Sequence, residues 1–106
     1  MDLAVACYAA TRGFPADERF GLTSQIKRAS VSVAANIAEG HGRESSGAFV
    51  QGLRIAQGSV KELETHVILC RRLNLMEDAQ VSELLTRCDE IGRMLRALIR
   101  KLQNMK

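Results

Sequence analysis

The chain has 106 residues, 46% hydrophobic and 25% charged, with 15 basic against 12 acidic side chains and a net charge of +3. That suffices for one domain, residues 1–106, with one modest core, and is too apolar for a disordered chain. No run reaches the roughly 18 apolar residues of a membrane span, and an acidic second residue without a basic segment argues against a secretory signal, so the cytoplasm is the expected compartment.

With aromatics at 4% and a single Pro, the filling falls to Ala, Leu, Val and Ile, which suits closely packed helices and an all-α fold. A first helix is expected over residues 2–12, with Leu3, Val5, Ala6, Tyr8 and Ala9 or Ala10 supplying its apolar contacts. Gly13-Phe14-Pro15 ends it, because Gly suits a C-terminal cap and Pro cannot continue a helix. At about three turns it is marginal alone and must dock. Pro15 to Arg19 reads as a connection or a single turn.

The second helix is expected from about Phe20 to His41, stopped by Gly40-His41-Gly42. From Ala29 to Ala38 it carries no charge. Leu22, Ile26, Ala29, Val33 and Ile37 form a seam at helical spacing. Val31, Ala34 and Ala38 form a second apolar strip, with Thr23 and Lys27 above it. Gln25, Arg28, Ser32, Ala35, Asn36 and Glu39 share the third side, of which only Arg28 and Glu39 are charged. A helix so poor in ionic groups is expected to be buried on more than one side, against its own bundle and against another copy of the chain.

A third helix starts at Ser45 or Ser46, either hydroxyl being a good N-cap. Its seam is Phe49, Leu53, Ala56, Val60, Leu63, Val67 and Cys70, and Asn74 fits the left-handed residue beyond its end near Leu73. Gly47, Gly52, Gly58 and Ser59 interrupt it with very small residues, which predicts close backbone approach by a neighbour. The fourth helix begins at Glu77 or Asp78, acids that suit the positive end of its dipole. Written as heptads it has Val81, Cys88, Leu95 and Leu102 at a, Leu84, Ile91, Leu98 and Met105 at d, and Leu85 and Ile99 at e. One short and three long helices with short loops predict an up-down four-helix bundle.

No phosphate loop, HExxH or nucleophile–base arrangement is present, so no catalytic residue is assigned. Cys7, Cys70 and Cys88 are odd in number without CxxC spacing, and read as reduced small hydrophobes; no metal or cofactor is implied. His41 reads as a solvated cap residue and His66 as a core or interface histidine. Asn36 and Glu39, at i and i+3, read as a structural polar pair bonding across helices or subunits, with Arg28 as a counter-charge. After Glu90 the chain holds Arg93, Arg96, Arg100, Lys101 and Lys106 and no acid, while Arg71 and Arg72 end the third helix. These cations suit helix C-termini and a soluble outer face, or a phosphate-contacting stripe summed over an oligomer. With no Trp and one Tyr there is no stacking platform, so any binding of RNA or DNA is expected to follow the backbone and to be salt-sensitive.

The run from Phe20 to Arg43, with Phe49, the Gly58 to Glu64 segment and Leu73-Asn74-Leu75, resembles the four-helix-bundle proteins encoded within 23S rRNA intervening sequences. It is also similar to the accessory variability determinant of diversity-generating retroelements. The resemblance runs from about Leu3 to the end and rests on Phe14, Pro15, Leu22, Gln25, Arg28, Asn36, Glu39, Gly40, Gly42 and Arg43. Family members commonly carry Pro where this chain has Ala34, which predicts a weaker kink in the second helix. They also carry residues before the first helix, including an aromatic, so either that helix is short here or the start was placed too late. The resemblance implies a non-enzymatic homopentameric ring whose interface includes the motif residues Gln25, Arg28, Asn36, Glu39 and Gly40. The implied partners are RNA or DNA, or a reverse transcriptase or other protein. The competing expectation is a scaffold that binds protein and touches no nucleic acid.

Overall fold

A computed structural model describes residues 2–15, 21–42 and 45–104. Among them are four helices and no strand: α1 (Asp2–Thr11), α2 (Leu22–His41), α3 (Ser46–Arg72) and α4 (Asp78–Gln103). The expected positions Phe20, Met105 and Lys106, most of the first connection and the motif residue Arg43 lie outside the described residues.

Each boundary has a local cause. The Ser45 hydroxyl accepts the Ala48 N–H at 3.1 Å, fixing the start of α3. Asn74 adopts φ 61°, and the Leu75 N–H then reaches back to the Cys70 carbonyl at 2.9 Å, closing α3. The Glu77 N–H donates to the Gln80 side chain at 3.1 Å as α4 opens. The helices follow a square, α1 against α2, α2 against α3, α3 against α4, and α4 against α1. α2 and α4 occupy opposite corners, and among the described residues their backbones do not approach each other. The rod measures 48 × 22 × 18 Å.

The core follows the seams. Ile26, Ala29 and Val33 of α2, Leu53, Ala56, Val60, Leu63, Val67 and Cys70 of α3, and Val81, Leu84, Cys88, Leu95 and Ile99 of α4 are all buried, with Ile37, Phe49, Leu85, Ile91, Leu98 and Leu102 packed partly against them. The first helix meets expectation at Leu3, Ala6 and Ala10, which pack into or against the core, and departs from it at Val5 and Tyr8. Its buried residues are Leu3, Cys7 and Thr11, while Val5 is 68% and Tyr8 43% exposed. The segment is apolar nearly all round, so periodicity cannot choose its inner face; docking of a narrow i, i+4, i+8 stripe does. Thr11 is accommodated by donating to the Cys7 carbonyl at 3.0 Å, and the outward Tyr8 ring lies under the Lys27 ammonium at 4.8 Å.

The cysteines are free and buried. Burial pushes the Cys7 thiol up to about 11, although a hydrogen bond with Ser30 opposes the rise. Burial, and secondarily the neighbouring Cys7 and Glu64, push Cys88 up to about 12. Both are therefore thiols, not nucleophilic thiolates, at neutral pH.

Candidate functional site

The motif residues of α2 gather along its seam with α3. Gln25 accepts both the Nε and Nη2 of Arg28, at 3.1 and 2.8 Å. The same guanidinium pairs with Glu62 of α3, and His66 Nε2 lies 3.5 Å from that carboxylate. One turn on, the Ser32 and Ser59 hydroxyls bond at 2.9 Å across the two helices. Asn36 donates back to the Ser32 carbonyl at 2.8 Å and its hydroxyl at 3.1 Å. Within one chain, then, Asn36 joins the α2–α3 contact through Ser32, and the counter-charge of Arg28 is Glu62, 34 residues away in sequence.

Close approach completes this seam. A Cβ on Gly52 would stand 2.9 Å from the Asn36 carbonyl oxygen, and one on Gly40 would stand 3.1 Å from Phe49. Gly47 and Gly58 have nothing within 4 Å of such a position, so of the three glycines expected to admit a neighbour only Gly52 does. Outside the seam a hollow of about 260 Å³ is lined by Asn36, Glu39, Gly40, Ala48, Gln51, Gly52 and Ile55. His41 sits edge-on to Phe49 with ring centroids 5.6 Å apart. Among the described residues, no three His, Cys, Asp or Glu side chains gather as metal ligands.

The six basic residues singled out from sequence fall into two groups at opposite ends of the rod. Arg71 and Arg72 close α3 beside the start of α4, and Arg71 Nε pairs with Asp78 at 3.1 Å. Arg93, Arg96, Arg100 and Lys101 lie on the second half of α4, with Arg100 roughly 33 Å along the helix from Asp78 by the usual rise. Arg93 is occupied by Asp89 at 3.1 Å. Among the described residues Arg96, Arg100 and Lys101 have no carboxylate partner.

Sequence reading missed Arg54. Counting an equal number of turns back along α3 and forward along α4 from the Arg71–Asp78 pair brings Arg54 level with Arg96. Both line one groove of about 430 Å³ between the helices, with Gln57, Lys61, Asp89 and Gly92. The signal lay in the antiparallel register set by the turn at Asn74, not in any local motif. Arg54 too has no acidic partner among the described residues, so four unpaired cations gather toward one end of the rod.

A family model, the 23S rRNA-intervening sequence protein, matches residues 1–97. The chain belongs to that family. Among solved structures it is similar to a protein of unknown function from the S23 ribosomal protein family of Bacteroides thetaiotaomicron VPI-5482, at a TM-score of 0.83 and 26% identity over 92% of each chain. Among curated proteins no relative matches. The four-helix, all-α architecture of this 23S rRNA-intervening sequence protein is therefore shared with an experimentally determined fold, and among the described residues no helix is long and apolar enough to cross a membrane.

Proposed function

We propose that this family member is a non-catalytic homo-oligomer that holds the backbone of RNA or DNA against the second half of α4 and the facing start of α3. The observation that carries the reading is the gathering of Arg54, Arg96, Arg100 and Lys101 toward one end of the rod, without acidic partners among the described residues. Arg28, Arg71 and Arg87 are ion-paired elsewhere, as are Lys61 in the groove and Arg93 on α4; Arg12, Lys27 and Arg72 also have no carboxylate partner among the described residues, but none of them lines the groove. Unpaired guanidinium and ammonium groups release counterions from a polyphosphate, which gives affinity without sequence preference. No aromatic ring lines the groove beside them, so bases have nothing to stack on there.

Self-association is supported by the outer side of α2. Val31 is 45% exposed and Ala35 and Ala38 are exposed, with no charge among them, and Ile55 of α3 is 48% exposed beside the hollow at Asn36. Repetition of a modest basic end around an assembly multiplies its field.

Retention of a labelled oligonucleotide should fall steeply between about 50 and 200 mM salt. The Arg96→Glu, Arg100→Glu double variant should weaken it for all sequences alike. Unchanged affinity in that variant rejects the surface.

A further inference from the structure

We propose that the groove between α3 and α4 is a phosphate-binding site, with the anion held between the guanidinium groups of Arg54 and Arg96. The proposal rests on the same basic surface as the reading above, and gives it an anchoring point and a ligand chemistry. Charges inside the groove are not evenly matched. Toward the α3 C-terminal side, Lys61 is engaged by Glu64 at 3.3 Å and Asp89 by Arg93 at 3.1 Å, so both acids already have cations. At the other side Arg54 and Arg96, one from each wall, have none. Two guanidinium-bearing residues, one on each wall of the groove, suit a tetrahedral oxyanion, whose oxygens accept from several directions.

Gly92 supplies the second, independent observation. A Cβ there would stand only 3.3 Å from Arg96 Nη1. The Arg96 side chain therefore folds back one turn along α4 and lies over the bare backbone of Gly92, at the exposed rim of the groove. A glycine within a helix is disfavoured relative to alanine. Here no neighbouring backbone needs the space, unlike at Gly52; the room is occupied by the guanidinium. Gly58, on the other wall, also leaves open space. At about 430 Å³ the groove admits a group the size of a nucleotide phosphate, and Gln57 adds an amide donor beside it. With no ring to grip a base, recognition is of the phosphate alone, carried either on a strand or on a small molecule.

The test uses two probes on the full chain: pyrophosphate, followed by the amide and Arg side-chain NMR signals of residues 54, 57, 92 and 96, and a labelled oligothymidylate followed by anisotropy. Pyrophosphate should move those signals. Arg54→Ala and Gly92→Leu should each weaken pyrophosphate and oligothymidylate roughly tenfold. Gly92→Leu fills the groove with a better helix former; should it fail to fold, the exposed Arg54→Ala decides alone. Pyrophosphate binding lost in these variants, with no oligothymidylate bound by the parent, upholds the site, assigns it to a small phosphate compound and overturns the nucleic-acid reading. Oligothymidylate binding that ignores Arg54→Ala and Gly92→Leu but falls on Arg100→Glu overturns the groove and leaves the nucleic-acid reading standing. Absence of pyrophosphate shifts at residues 92 and 96 also overturns it.

Discussion

A methyl group on Gly52 would stand 2.9 Å from the carbonyl oxygen of Asn36, so α2 and α3 meet backbone to backbone where residues 36–40 run. Gly40 has the Phe49 ring only 3.1 Å from its own Cβ position, a contact that a small shift of the ring would relieve, whereas Gly52 faces backbone that cannot give without moving a helix.

Gly52→Ala should therefore destabilise the protein by about 1–3 kcal/mol, although alanine is the better helix former. Gly58→Ala, with nothing within 4 Å, should instead stabilise it by about 0.5–1 kcal/mol. Urea midpoints measure both. Equal gains in the two variants would contradict the close approach at Gly52.

The buried thiols predict an alkaline limit. Their native values, about 11 for Cys7 and about 12 for Cys88, lie above the unfolded value of 9.0, so the native state holds its protons longer. The stability this contributes is full below pH 9.0 and is lost as pH rises through about 11 to 12. Urea midpoints should fall across that window, and the Cys7→Ala, Cys88→Ala double variant should fall less. Ellman's reagent should react with neither thiol at pH 8 until the chain unfolds.

Charge reversal at the two ends of the rod should not be equivalent. Arg71→Glu with Arg72→Glu should change oligonucleotide affinity by less than about threefold, since Arg71 already pairs with Asp78 at the far end. Arg100→Glu with Lys101→Glu should weaken it more than tenfold and reduce the salt slope by about 1 per lost phosphate contact. Filter binding across a salt series distinguishes the two.

Light scattering at micromolar concentration should report a multiple of the 11.7 kDa chain. Ala35→Glu, which places a carboxylate on the uncharged outer side of α2, should shift the mass toward that of one chain while leaving the helical circular dichroism unchanged. A parent of 11.7 kDa would remove the case for self-association.

The three long helices were legible because each combines a long seam with a readable stop. The heptads of α4 bury Val81, Leu84, Cys88, Leu95 and Ile99, and Asn74 takes the left-handed conformation expected after α3. What failed was whatever depends on partners distant in sequence. DLAVACYAAT is apolar on every side, so only its docking against α2 and α4 could select Leu3, Cys7 and Thr11 over Val5 and Tyr8. The Arg28–Glu62 pair and the placement of Arg54 beside Arg96 are products of helix register, which no local pattern encodes. Gly92 passed unnoticed for the same reason, since its meaning lies in the guanidinium above it.

Because α2 and α4 stand at diagonal corners with α3 between them, the bundle behaves like a plank with two edges. On the proposed reading, copies would gather along the α2 edge and a polyanion would lie along the α4 edge. The proposed subunit contact and the proposed anion groove would then share a border on α3, where Ile55 lines the one and Arg54 the other.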